Sequence, residues 1–188
     1  MDHKSIRRTP LIPRFSRNWI PFRRLICYSI VMKPTVYIET SVISYLTAQV
    51  SRDLVVAAHQ QLTAEWWQQA LPQFEPFVSP VVLEEIAKGD PEAADRRKKS
   101  VAAFGILEVS AEVRDLAEHY FAAIDLPERA RADAYHLALA VWHGMDYLVT
   151  WNCTHIAGGK VKWIVQKINA GRGIGSPIIC TPEELMEV

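Results

Sequence analysis

The sequence is poor in the features that mark several large protein classes. Only three of its 188 residues are cysteine, Cys27, Cys153 and Cys180. They are too few and too scattered for a disulfide framework or a cysteine-built zinc site, and such usage fits a reducing cytoplasm. No apolar run approaches the ~18 residues a membrane span requires, so no membrane association is expected. Glycine-rich phosphate loops in the right context are also missing. "NAGRGIGSP" precedes a strand instead of following one, "AGGKV" lacks the spacing of a phosphate-binding loop, and both read as plain loops. Internal repeats and low-complexity tracts are absent as well.

Acid is nearly absent from the leading segment. Residues 1–33 hold eight of the 21 Lys and Arg against a single acid, Asp2. From Pro34 on, 13 basic residues face 20 acidic ones, a net of −7 hidden behind the neutral total. The leading segment has no helical or strand period and no signal-peptide core, since "LICYSIVM" is short and late. It reads as a basic, disordered extension, or as sequence upstream of a natural start at Met32, with a nucleic-acid-binding arm as the alternative. The expected organisation is therefore residues 1–33 as extension and 34–188 as one domain.

What the body does contain is a regular alternation. Strand candidates are Thr35–Glu39, Phe74–Ser79, Ile106–Val109, Tyr147–Thr150 and Pro177–Cys180, separated by segments of helical period. That order, βαβαβαβαβα, implies a parallel sheet in an α/β fold with helices on both faces. Local signals support the helices. Ser79-Pro80 supplies an N-cap and a first-turn proline before "VVLEEIAKG"; Thr181 and Glu184 form a capping box; and Ala134, Leu137, Ala138 and Val141 mark one apolar face ending at Gly144.

Ligands of open α/β sheets bind beyond the carboxyl ends of the strands. Glu39 falls at that edge, directly after the apolar "TVYI", where an acid is poorly placed for solvent alone. Thr150, Trp151 and Asn152 end another strand, Asp133 opens the helix leading into it, and Glu84 and Glu85 lie on the helix after the second strand. Oxygen ligands from separated segments converging at one sheet edge suit a hard cation such as Mg²⁺, and crowded carboxylates repel one another without one.

The segments "VYIETSVISYL", "SPVVLEEIAKGD", "RADAYHLALAVWHGMDYLVTWNCTHIA" and "PIICTPEEL" resemble, in order and spacing, the successive motifs of PIN-domain proteins of the VapC-like toxin branch. The resemblance implies a three-layer α/β/α sandwich with a small parallel sheet, and a Mg²⁺- or Mn²⁺-dependent endoribonuclease of a toxin-antitoxin system. It also implies RNA as substrate, a small antitoxin as partner, and a homodimer. The family acids fall on Glu39, Glu85 and Asp133, with Asn152 at the fourth position and His155 where a further acid is common. Glu85 is preferred to Glu84 because an aliphatic residue, Ile86, follows it. Glu39, Asp133 and Asn152 are then the expected metal ligands, with Glu85 completing the shell or orienting water. Thr40, Ser41 and Thr150 are accessory candidates, and either hydroxyl after Glu39 is also a good helix N-cap. Trp151, Arg96 and Arg97 are candidate RNA contacts, against plain readings as packing and as a solvated helix face. His136 reads chiefly as a hydrogen-bonded structural residue. A catalytically weak PIN fold that binds RNA or a partner is the alternative function.

Overall fold

The computed structural model describes residues 32–186, and the expectations for the leading segment lie outside them. Five strands form one sheet: β1 (Thr35–Ile38), β2 (Glu75–Val78), β3 (Gly105–Ile106), β4 (Tyr147–Val149) and β5 (Ile178–Cys180). The helices are α1 (Thr40–Thr47), α2 (Leu54–Gln69), α3 (Pro80–Ile86), α4 (Pro91–Ser100), α5 (Ala111–Ile124), α6 (Arg131–Trp142) and α7 (Gly159–Arg172). The sheet order is β3-β2-β1-β4-β5 and every pairing is parallel. The expected α/β/α sandwich with a small parallel sheet is what the chain forms.

Parallel neighbours need crossovers long enough for helices, and right-handed crossovers decide the face each helix covers. Winding outward from β1 to β3 places α1 to α4 on one face; returning across the sheet to β4 and β5 places α5 to α7 on the other. Most helix contacts follow that division, α1 touching α2, α3 and α4, and α5 touching α6 and α7, while α3 also meets α6. Strand β1 lies at the centre, so Val36, Tyr37 and Ile38 are all fully buried, as expected of a parallel strand covered on both sides. At the two edges Ile106 and Ile178 stay exposed.

Three details depart from the sequence expectation. Each of the first three crossovers carries two helices, broken between α3 and α4 at Gly89, whose φ of +88° suits a residue without Cβ. The last helix extends through Asn169–Arg172 before Gly173 (φ +68°) ends it, and it begins at Gly159, so half of "NAGRGIGSP" and most of "AGGKV" are helical. Asn169 explains the extension: it is buried, accepts from the Tyr120 hydroxyl and donates to Ser176 Oγ at 2.8 Å, tying α7 to α5 and to the approach to β5. At the C-terminus the capping box closes in both directions, Thr181 N–H donating to Glu184 Oε2 at 2.8 Å and Glu184 N–H to Thr181 Oγ1 at 3.2 Å. It caps a turn, however, and no helix follows among the described residues.

Candidate active site

The winding direction reverses at β1 and β4, and a crevice opens there beyond the strand ends. Glu39 stands at its floor. Its N–H donates to Val149 O at 3.0 Å, continuing the β1–β4 pairing one residue past the strand, and its side chain then serves as the N-cap of α1, accepting from Ser41 N–H at 3.0 Å. The cap is thus the acid itself and not the hydroxyl of Thr40 or Ser41. The same oxygen, Oε2, also accepts from Ser41 Oγ and from Thr150 Oγ1 at 2.7 Å. Three donors and a helix N-terminus stabilise a carboxylate that is otherwise buried. Thr150 and Ser41 are therefore holders of Glu39, with Ser41 Oγ also accepting from Trp151 N–H at 2.9 Å.

Glu85 enters from α3. The helix start is set by Ser79, buried, which accepts from Val82 N–H at 3.3 Å ahead of Pro80. Glu84 on the neighbouring position faces solvent and pairs with Lys88 at 3.2 Å, whereas Glu85 Oε2 accepts from Thr40 Oγ1 and from His136 Nε2, the latter at 3.0 Å. Burial raises the Glu85 pKa, but the hydrogen bonds and charge of His136 and the Thr40 bond outweigh it and leave the carboxyl below its ordinary value.

His136 is the hydrogen-bonded structural histidine the sequence favoured. It is fully buried, and ligand atoms of Glu39, Glu85 and His136 all lie within 4.8 Å of one another. Its Nδ1 is 2.8 Å from the Tyr37 hydroxyl, which in turn is 2.8 Å from Ser79 Oγ. A carboxylate only accepts, so Nε2 carries a proton toward Glu85, and the line Ser79–Tyr37–His136–Glu85 runs from the core to the crevice. Burial drives His136 toward its neutral form, yet the Glu85 bond and the charges of Glu39, Glu85 and Asp133 prevail and raise its pKa. Both ring nitrogens being committed, His136 braces the site. Its one advance signal was spacing, three residues beyond Asp133 in a helix start.

Asp133 sits in the first turn of α6, three residues before His136. Its Oδ2 is 3.0 Å from His155 Nδ1, and burial raises its pKa against the opposing effects of His136, His155 and Asn152. Asn152 Oδ1 accepts from His155 N–H at 3.0 Å, and Asn152 N–H donates to Thr150 Oγ1 at 2.9 Å, so Asn152 shapes the loop that carries His155. Two carboxylates, Glu39 and Glu85, thus cluster with one buried imidazole, and a third, Asp133, acts on it through its charge. Their donor set of carboxylate and amide oxygens with flanking hydroxyls suits a hard divalent cation, and a carboxyl held protonated more readily than usual by burial is one a cation would relieve.

Two of the three candidate RNA contacts, Trp151 and Arg97, are engaged within the fold. Trp151 stacks on His59 (4.1 Å between ring centres, 19° between planes) and donates from Nε1 to Thr63 Oγ1 at 2.7 Å, bracing α2 against the site. Arg97 donates to Ile86 O at 2.9 Å and Lys88 O at 2.6 Å, closing the C-terminal end of α3. Arg96 is exposed on α4.

The toxin VapC20 of Mycobacterium tuberculosis, described as cleaving the sarcin-ricin loop, matches the structure with a TM-score of 0.53 over 66% of this chain and 95% of its own. The chain has a PIN-like fold. Sequence identity in that match is 17%, so the likeness is one of architecture. VapBC2 of Rickettsia felis, solved bound to a DNA fragment from its promoter, matches at a TM-score of 0.46 with 13% identity over 78% of this chain and 98% of that one. No protein-family model and no curated protein matches the chain. No helix among the described residues is long and apolar enough to cross a membrane.

Proposed function

We propose that the protein is a metal-dependent endoribonuclease of the VapC-like toxin type. The observation that carries this is the convergence of Glu39, Glu85 and His136 at the switch point of a fold shared with an RNA-cleaving toxin, with Asp133 near enough for its charge to act on His136. Glu39, Asp133 and Asn152 would hold Mg²⁺ or Mn²⁺, and Glu85 would complete the shell or orient a water. When bound, such a cation lowers the pKa of water and offsets charge developing on a scissile phosphate. The protein's own residues do the positioning. Thr150 and Ser41 fix the Glu39 rotamer, His136 and Thr40 fix Glu85, and His155 and Asn152 hold Asp133. No side chain is required as nucleophile.

Purified protein incubated with a structured RNA pool tests this. Cleavage should stop on chelation and return with added Mg²⁺ or Mn²⁺. Cleavage indifferent to chelator would reject metal dependence. The rival, a PIN-fold module that binds RNA or a partner without cutting, is favoured by one arrangement: His136 with Glu85 and His155 with Asp133 pair two of the three carboxylates without any cation. Binding of RNA with no cleavage under any metal would establish it.

The partner reading, a small antitoxin together with a homodimer, is supported by an apolar groove of about 430 Å³ between α1 and α2 that includes Tyr45, Ala48 and Val56 and reaches Ser41. Beside it Val50, Leu54 and Val55 are exposed, Val50 and Leu54 at 86% each. A partner seated there would cover the holder of Glu39 as well as this apolar surface. Expression with the adjacent genes should yield a co-purifying small protein that suppresses cleavage. Harmless expression alone, with no co-purifying product, would remove the toxin assignment.

A further inference from the structure

A second surface lies on the opposite face of the sheet. Helix α7 carries Lys160, Lys162, Lys167 and Arg172 and no acid, within a body whose net charge from Pro34 on is −7. Lys160, Trp163 and Lys167 are spaced by three and four residues, so they form one stripe along the helix. Trp163 is 61% exposed, an unusual position for so large an apolar ring, and Lys167 Nζ lies 5.2 Å from its centre. Between this stripe and α5 runs an open groove of about 630 Å³, with Ile164, Ile168 and Ala123 as its apolar floor and Trp163, Lys167 and His119 on its rim.

The groove has a direction. Arg172 at the end of α7 pairs with Asp115 near the start of α5 at 3.4 Å, and Tyr120 bonds Asn169, so the two helices run antiparallel. The start of α7 follows directly from the loop that holds Asn152 and His155. Trp163 therefore stands at the catalytic end, about 6 Å along the axis from the first residue of α7, and the groove leads away from the crevice. The acids of α5 on this side are already matched, Asp115 by Arg172 and Glu118 by Arg131. Lys160, Lys162 and Lys167 make no ion pair among the described residues.

We propose that the α5/α7 groove is the path of the RNA strand beyond the acidic crevice, with one base stacked on Trp163 and backbone phosphates held by Lys160 and Lys167. It rests on the ribonuclease reading and supplies what that site lacks. A crevice built from carboxylates repels a polyanion, so the affinity for the strand has to come from a positive surface next to it. A flat aromatic face flanked by lysines is the arrangement that binds single-stranded nucleic acid without regard to sequence. Continuity with the catalytic edge favours RNA over an acidic protein segment, for which the groove has no need to open toward the crevice.

The test measures binding of a fluorescein-labelled polyuridine oligonucleotide to the full chain in excess chelator, where no cleavage occurs. Trp163→Ala should raise Kd about tenfold or more, the loss expected from one stacked base. Lys160→Gln with Lys167→Gln should weaken binding and flatten the dependence of log K on log salt by about 1.4, for two single-strand phosphate contacts. All three positions lie on the surface stripe, and circular dichroism with thermal melting checks that the variants fold as the parent does. Unchanged Kd for Trp163→Ala together with an unchanged salt slope for the lysine pair would overturn the proposal. So would variants that bind RNA normally but lose a co-expressed partner, since the groove would then be a protein-docking surface. The two readings fail separately: a protein that binds RNA through these residues but never cuts it loses the nuclease and keeps the groove, and one that cuts RNA while the variants bind as before loses only the groove.

Discussion

Protein carrying Asp133→Asn should fold as the parent does and lose RNA cleavage by on the order of a hundredfold or more, since even partners one step removed from a metal commonly cost 10- to 100-fold. The substitution barely alters volume. In the metal-free protein it removes a charge that burial already disfavours, the Asp133 carboxyl having its pKa raised, so thermal stability should hold or rise slightly. With metal the sign reverses. Saturation at about 100 times Kd stabilises the parent by roughly 2.7 kcal/mol, which moves the midpoint of a domain this size by several degrees, and Asp133→Asn should lose that gain along with the activity. Glu39→Gln should behave similarly in cleavage. Asn152→Asp offers the converse: with a fourth carboxylate the metal-dependent gain should be preserved or enlarged, while the metal-free protein should melt lower because a like charge replaces an amide beside Asp133. Robust cleavage by folded Asp133→Asn, or an undiminished metal-dependent shift, would reject its place in the metal site.

How much of this was legible in the sequence depends on what each residue's position needed. Glu39 could be found because an acid directly after a buried strand has few other uses, and Glu85 could be told from Glu84 by the aliphatic residue that follows it. The parallel sheet was legible because β-branched runs alternated with helical periods. Strand lengths were overestimated by one or two residues: Glu39, Ser79 and Thr150 end their strands and turn to capping and holding, Pro177 only leads into β5, and β3 is Gly105–Ile106, with residues 107–109 outside the ladder. Trp151 looked like a base platform because it stands at the crevice mouth, but what occupies its ring is His59 from α2, more than 90 positions away in sequence, and no local pattern encodes that contact. The terminal capping box formed as the sequence specified, yet residues 182–186 close as turns, with Leu185 packed into the core. The groove between α5 and α7 was invisible in the sequence. Its lysine and tryptophan stripe was readable in the helix, while the partner wall and the antiparallel register come from Tyr120, Asn169 and the Arg172–Asp115 pair.

His136 is where the structural and functional uses of one residue meet, and replacing it should have the largest effect on stability. The sequence favoured a hydrogen-bonded structural histidine, and the structure makes it one, buried beside Glu39 and Glu85. His136→Ala opens a cavity in a fully buried position and leaves the Tyr37 hydroxyl and Glu85 Oε2 each short of a partner. Together these should cost about 3 kcal/mol or more, a fall in the melting midpoint on the order of 10 °C. His136→Phe separates the contributions. It refills most of the volume but restores neither hydrogen bond, so it should recover only part of the loss, and the remainder is the cost of the broken line from Ser79 to Glu85. Tyr37→Phe interrupts that line one step earlier, and combined with His136→Phe it should cost less than the two single changes added, because each removes a partner the other needed. Thermal melts of the three variants in chelator, where no cation contributes, measure this. Additive losses, or His136→Ala melting within a degree of the parent, would show that the imidazole fills space without holding Glu85 in place.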